Sequence, residues 1–147
     1  MLNISHPSYG QGDSSFQAAG GELGIRRLVD CFYDQMRDHP DYRTIWDWHP
    51  GAEEDDQQKE QSRDKLARFL CSWMGGLKLY QDKYGSISIP QAHRHLAVTE
   101  REMGMWLNCM GEALDMQDYP APFKAYLLEQ LSRPAEVIRQ ACSRNTI

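Results

Sequence analysis

No stretch of this 147-residue chain is apolar over the length a membrane span requires, so a soluble domain is expected. No block of Lys and Arg stands out, and the formal charge is −5. Both points speak against nucleic acid and against an anionic membrane surface as partners. The four cysteines, Cys31, Cys71, Cys109 and Cys142, include no CxxC pair. Their spacing does not suit zinc, and small buried hydrophobes in a reducing cytosol are the expectation. The opening MLNISHPSYGQGDSSF lacks a basic start followed by an apolar run. No secretory signal is therefore read, and a cytoplasmic protein is expected. Strand patterning is almost missing: SISI at 86–89 alternates but is too short to build a sheet. There is no internal repeat and no low-complexity tract.

Helical periodicity is plentiful. The apolar fraction is 41%, with four Trp and seven Tyr as bulky packing groups. Ile25, Leu28, Val29, Phe32 and Met36 recur at helical spacing across 22–37, with Tyr33 flanking that face. Gly20 and Gly21 punctuate the start and Pro40 follows the end. Leu66, Phe69, Leu70 and Trp73 mark a second helix over 62–74, stopped by Gly75 and Gly76. The acidic GAEEDDQQKEQ before it reads as a solvated loop or an exposed approach to the helix. Met103, Trp106, Leu107, Met110 and Leu114 mark a third helix over 100–115, and Thr99 with Glu102 fits a capping box. A fourth begins near 120–123 and carries Phe123, Leu127, Leu131 and Ile138; Pro134 is expected to kink or split it.

Between the second and third helices, 77–98 reads as mostly loop, with Pro90 opening a helical turn just long enough to present His93. A long irregular segment inside a compact domain is usually functional or disordered. The expectation is an all-α domain over 16–147, two antiparallel helix pairs packed across each other, behind an N-terminal arm over 1–15. His93 and His95 are the two imidazoles that this loop offers to a metal.

Several stretches together resemble the truncated haemoglobins, most closely group II: GGELGIRRLVDCFYDQM with its Phe32-Tyr33 pair, WHPG, DKLARFLCSWMGGLKLY with its terminal Gly-Gly, and WLNCM. The resemblance covers roughly 16–142. In that family the iron-binding histidine follows the glycine of YG by eight residues and precedes the tryptophan of WLxCM by thirteen. His93 lies eight residues after Gly85 and thirteen before Trp106, and His95 meets neither spacing. The same fit puts Val98 at the family's apolar position five residues on. The family's usual Arg-His is here Ala92-His93, so Arg94 or His95 stands in for the arginine that meets a haem propionate.

The resemblance implies a truncated globin-like two-over-two helical sandwich with an irregular loop before the proximal histidine. It implies haem b (iron protoporphyrin IX) on His93, with Phe69, Leu70, Trp73, Leu96 and Val98 as walls and Lys65 and Arg94 at the propionates. On the distal side it implies Tyr33, His49 and Trp106 as polar groups, with Ser62 and Leu66 on the facing helix. Ser62 falls where vertebrate globins carry the distal histidine, so that position is small. Dioxygen would be the main ligand, with carbon monoxide, nitric oxide, cyanide and sulfide as others. Tight binding favours redox chemistry, fed by an unidentified reductase, over bulk oxygen storage, with oxygen transport a further role that the resemblance implies. A peroxidase would want a distal base, and His49 is the candidate. The expected assembly is a monomer or homodimer. A haem-free helical interaction or regulatory module is the competing class, but it leaves the two spacings onto His93 and the Tyr33/Trp106 pair unexplained. A non-haem metal on His93 and His95 is a third reading. Its two imidazoles diverge on a helical turn, and no third ligand is evident.

Overall fold

The computed structural model describes residues 9–48, 56–86, 88–89, 93 and 96–144. Its helices are α1 (Ser14–Ala18), α2 (Gly21–Asp38), a 3-10 turn (Pro40–Tyr42), α3 (Arg43–Asp47), α4 (Asp56–Trp73), α5 (Leu79–Tyr84), α6 (Glu100–Asp115) and α7 (Ala121–Arg144). The described residues contain no strand. α2 packs on α4, α6 packs on α7, and α2 joins the two pairs through α6. This is the two-over-two sandwich. Among the described residues no helix is long and apolar enough to cross a membrane.

The core follows the apolar stripes. Ile25, Leu28, Val29, Phe32 and Met36 on α2 are all buried, as are Met110 and Leu114 on α6 and Phe123, Leu127 and Leu131 on α7. Full burial of such a side chain stabilises the fold by roughly 1.5–3 kcal/mol. Cys71, Cys109 and Cys142 are buried and Cys31 half-buried; all four are free thiols. Burial pushes the Cys71 thiol up to about 11 and the Cys109 thiol up to about 12, which keeps both unreactive.

The helix ends obey local chemistry. At the close of α4 the Gly76 N–H donates to the Cys71 carbonyl at 2.8 Å and the Gly75 N–H to Ser72 at 3.0 Å, a Schellman motif. Gly75 has φ +91°, and a Cβ there would lie 2.0 Å from the Gly12 carbonyl oxygen, so both conformation and space demand glycine. α6 opens on the expected capping box, with the Glu102 carboxylate accepting from the Thr99 N–H at 2.9 Å.

Three expectations change. α4 starts at Asp56, six residues before the anticipated 62. DQQKEQ consists of good helix formers with an acid at the positive end of the dipole, so the polar approach is itself helical. α7 is not split: it runs through Pro134 to Arg144. Proline forfeits one backbone bond there, while Leu131 before it and Ala141 and Cys142 beyond it are all buried and anchor the helix on both sides. The stretch taken as mostly loop contains α5. The N-terminal arm also makes contacts within its described part: Tyr9 meets Phe123 and Tyr126 with ring centroids 5.1 and 4.9 Å apart, and the Ser15 and Tyr126 hydroxyls share a 3.0 Å hydrogen bond.

α5 is fastened to the sandwich by Asp64 of α4. That carboxylate accepts from the Tyr84 hydroxyl at 2.7 Å, Lys83 at 2.9 Å, Arg26 at 3.0 Å and Arg68 at 2.9 Å. Burial alone would raise its pKa, but the hydrogen bonds from Tyr84, Lys83, Arg26 and Arg68 outweigh it and hold the group well below its ordinary 3.8. A depressed carboxylate contributes stability that is present above its unfolded value and is lost as pH falls toward the folded one. Asp64→Asn is expected to lower stability by about 2 kcal/mol at neutral pH, the scale of hydrogen bonds to a charged group. Below the unfolded value the difference should shrink. Urea unfolding at neutral and acid pH checks this, and an equal loss at both would show that charge is not the cause.

Candidate functional site

The residues expected on the distal side come from α2, α4 and α6. Tyr33 is 5% exposed on α2, and burial raises its phenol well above the ordinary value against an opposing pull from the Arg63 charge. Phe32 touches both polar aromatics: its ring lies edge-on to Tyr33 at 5.4 Å and edge-on to Trp106 of α6 at 5.0 Å. Tyr33 and Trp106 thus share one buried neighbour. Ser62 and Leu66 sit one turn apart on α4, both part-buried. His49, expected at the distal corner, lies outside the described residues.

On α4, Leu66, Phe69 and Trp73 recur at three- and four-residue steps and so share one stripe. All three are apolar yet only part-buried, as is Trp106, although they pack against the core. Leu70, also expected as a wall, is 1% exposed and packs in the core. Lys65 is exposed, with its ammonium 5.3 Å from the centre of the Tyr84 ring. Leu96 and Val98 are half-buried. Val98 also borders a cavity of about 390 Å³ that reaches Arg139 and Cys142 at the end of α7.

The proximal candidate is His93, part-buried and helical, as is Ile89 one turn earlier. Its Nδ1 is 2.8 Å from the Ile89 carbonyl oxygen. A carbonyl only accepts, so Nδ1 carries the proton and donates. In the neutral ring this leaves the Nε2 lone pair free for a metal, with the ring orientation set by the backbone. The His93 carbonyl in turn accepts from the Leu96 N–H at 3.0 Å and the Cys142 thiol at 3.2 Å, which ties the turn to α7. Arg94 and His95 lie outside the described residues.

Among the described residues no group of three or more His, Cys, Asp or Glu side chains is placed to hold a metal ion. One oriented imidazole and a row of part-buried apolar groups suit a flat apolar ligand that brings its own equatorial donors. Haem is such a group, and the residues present fit it.

One residue beside Tyr33 escaped the sequence reading. Arg63 on α4 lays its guanidinium over Tyr33, with Cζ 5.5 Å from the ring centre. The available clue to Arg63 was the pair Asp30 and Asp34, four apart on α2 and flanking Tyr33, a matched seat for a cation.

A family model described as bacterial-like globin matches residues 14–140. Group 2 truncated hemoglobin YjbI of Bacillus subtilis (strain 168) is 26% identical over 123 residues, covering 84% of this chain and 86% of that protein. The group II truncated hemoglobin of Bacillus anthracis superposes with a TM-score of 0.72 at 26% identity, over 91% of this chain and 92% of the other. The group II 2-on-2 hemoglobin of Agrobacterium tumefaciens gives 0.76 at 22% identity, over 95% and 98%. With the family match spanning nearly all of the sandwich that carries His93, Tyr33 and Trp106, the chain belongs to the bacterial-like globin family, in the truncated haemoglobin fold and with its similarities to the group II type.

Proposed function

We propose that this protein binds haem b through His93 Nε2 and retains dioxygen tightly in a distal space shared by Tyr33 and Trp106, in the service of redox chemistry on oxygen or nitric oxide rather than bulk storage. The observation that carries this is His93 itself: an imidazole with Nδ1 committed to a backbone carbonyl 2.8 Å away, and Nε2 left as a donor to metal. Leu66, Phe69, Trp73, Leu96 and Val98 would cover the faces of the ring. Lys65 and Arg94 would meet its two carboxylates. When bound, haem would supply an iron able to take dioxygen, carbon monoxide, nitric oxide, cyanide or sulfide.

The chain's own contribution is selective stabilisation. A ligand with partial negative charge gains from a phenol O–H and an indole N–H held in a low-dielectric space, and an apolar ligand gains little. Burial of Tyr33 keeps its phenol protonated, hence a donor, throughout the neutral range. Leu66 and Phe69 exclude water, which would otherwise compete for the same hydrogen bonds. Ser62 leaves the facing position small, so no side chain there need be displaced. Electrons for turnover would come from a separate reductase.

The direct test is the visible spectrum of the purified protein, as isolated and after haem addition. A sharp Soret band that shifts on exposure to carbon monoxide is the expected result. A protein that stays colourless after haem is added has no such site.

A further inference from the structure

Arg63 is the charged group nearest the distal tyrosine for which the functional reading has no use. Its side chain is 17% exposed, and its two terminal nitrogens meet two acids of α2. Nη2 donates to Asp34 Oδ1 at 2.8 Å, and Nη1 donates to Asp30 Oδ1 and to the Asp30 carbonyl, each at 3.2 Å. The two acids are 62% and 50% exposed and bracket Tyr33 on α2, so the guanidinium is pinned across the tyrosine ring. Solvent-facing ion pairs of this kind contribute little to stability, so their geometric consequence is the more informative one.

We propose that Arg63 is a positioning residue for distal ligand binding: seated by Asp30 and Asp34, its cation fixes the Tyr33 ring and strengthens the phenol O–H as a donor to a partly negative ligand. The proposal rests on the functional reading above and deepens it. A guanidinium within about 6 Å of an aromatic centre is attracted to the ring face, and this holds the ring's plane. When a phenol donates a hydrogen bond, negative charge gathers on its oxygen, and a nearby cation stabilises that charge. The Arg63 charge is also the influence that acts against burial in raising the phenol. Asp30 and Asp34 act in the opposite sense, but they are more exposed and their fields are more strongly screened by water. Lysine could supply the charge but not the planar fork that two acids hold at once.

The experiment uses the haem-loaded protein. Dioxygen dissociation is measured by stopped flow, and the C–O stretch of the carbon monoxide complex by infrared spectroscopy, because that stretch reports the donor field at the ligand. Arg63→Gln is expected to speed dioxygen dissociation about three- to tenfold, the scale of a desolvated cation–π contact. It should also raise the C–O stretching frequency, with Arg63→Lys falling between it and the parent. In a Tyr33→Phe background, Arg63→Gln should change neither quantity, since the effect passes through the phenol. An equal effect in that background, or none in the parent while Tyr33→Phe keeps its own, overturns the inference and leaves the functional reading standing. A Tyr33→Phe variant that leaves dioxygen dissociation unchanged removes both. Should Arg63→Gln fail to fold, Asp34→Asn keeps the arginine and removes its shorter anchor. Both readouts should then move the same way by a smaller amount, and no movement counts against the proposal.

Discussion

Tyr33→Phe and Trp106→Phe should each speed dioxygen dissociation by roughly ten- to a hundredfold. A hydrogen bond to a partly charged acceptor is worth about 1.5–3 kcal/mol, and each 1.4 kcal/mol is tenfold. The effect should fall on the off-rate, because the bonds form after the ligand has arrived. The two residues come from α2 and α6 and meet the same Phe32 ring, at 5.4 and 5.0 Å. A change at either can reach the other through that shared neighbour, and both donors address one acceptor. The double variant should therefore depart from the sum of the singles. Carbon monoxide, being less polarised, should respond far less. Unchanged dioxygen dissociation in both single variants would make the phenol and indole ordinary packing groups.

His93→Ala should abolish stable haem binding. Removing the imidazole would delete the proposed iron ligand, the side chain that the Ile89 carbonyl orients at 2.8 Å. Free imidazole added to the variant should restore part of the Soret absorbance, because it can occupy the space left by the side chain. This recovery separates loss of a ligand from loss of the fold. His95→Ala should keep a normal spectrum. The reverse pattern, with His95→Ala losing the spectrum and His93→Ala keeping it, would mean that the register through AHRHL is displaced by two residues.

Some elements were legible without coordinates because their causes are local. The stripe over 22–37 repeats every three or four residues, and a helix with that pattern has one face to bury. Its five central apolar residues are all buried as a result. Gly75 and Gly76 read as a stop because only the last turn of the helix and the two glycines take part in the motif. The start of α4 was missed for the opposite reason. DQQKEQ has no apolar periodicity, so its helical propensity is invisible to a reading based on stripes. A split at Pro134 was over-weighted: the proline's cost is local, but the burial that keeps α7 one helix on both sides of it is not.

By itself the sequence determined the four long helices, their inward faces and the cap at Thr99. These depend on residues within a few turns of one another, and backbone geometry converts such spacing directly into position. Tertiary structure alone decided which groups meet. It brought Asp64 to Arg26, 38 residues away, and to Tyr84, 20 residues away, and so turned an apparent loop into α5. It brought Phe32 against both Tyr33 and Trp106, left Leu66, Phe69 and Trp73 part-buried while closing Leu70 into the core, and laid Arg63 over the Tyr33 ring. Periodicity says which face of a helix turns inward. What that face touches depends on how separate helices cross, and the chain encodes that only through contacts between residues far apart along it.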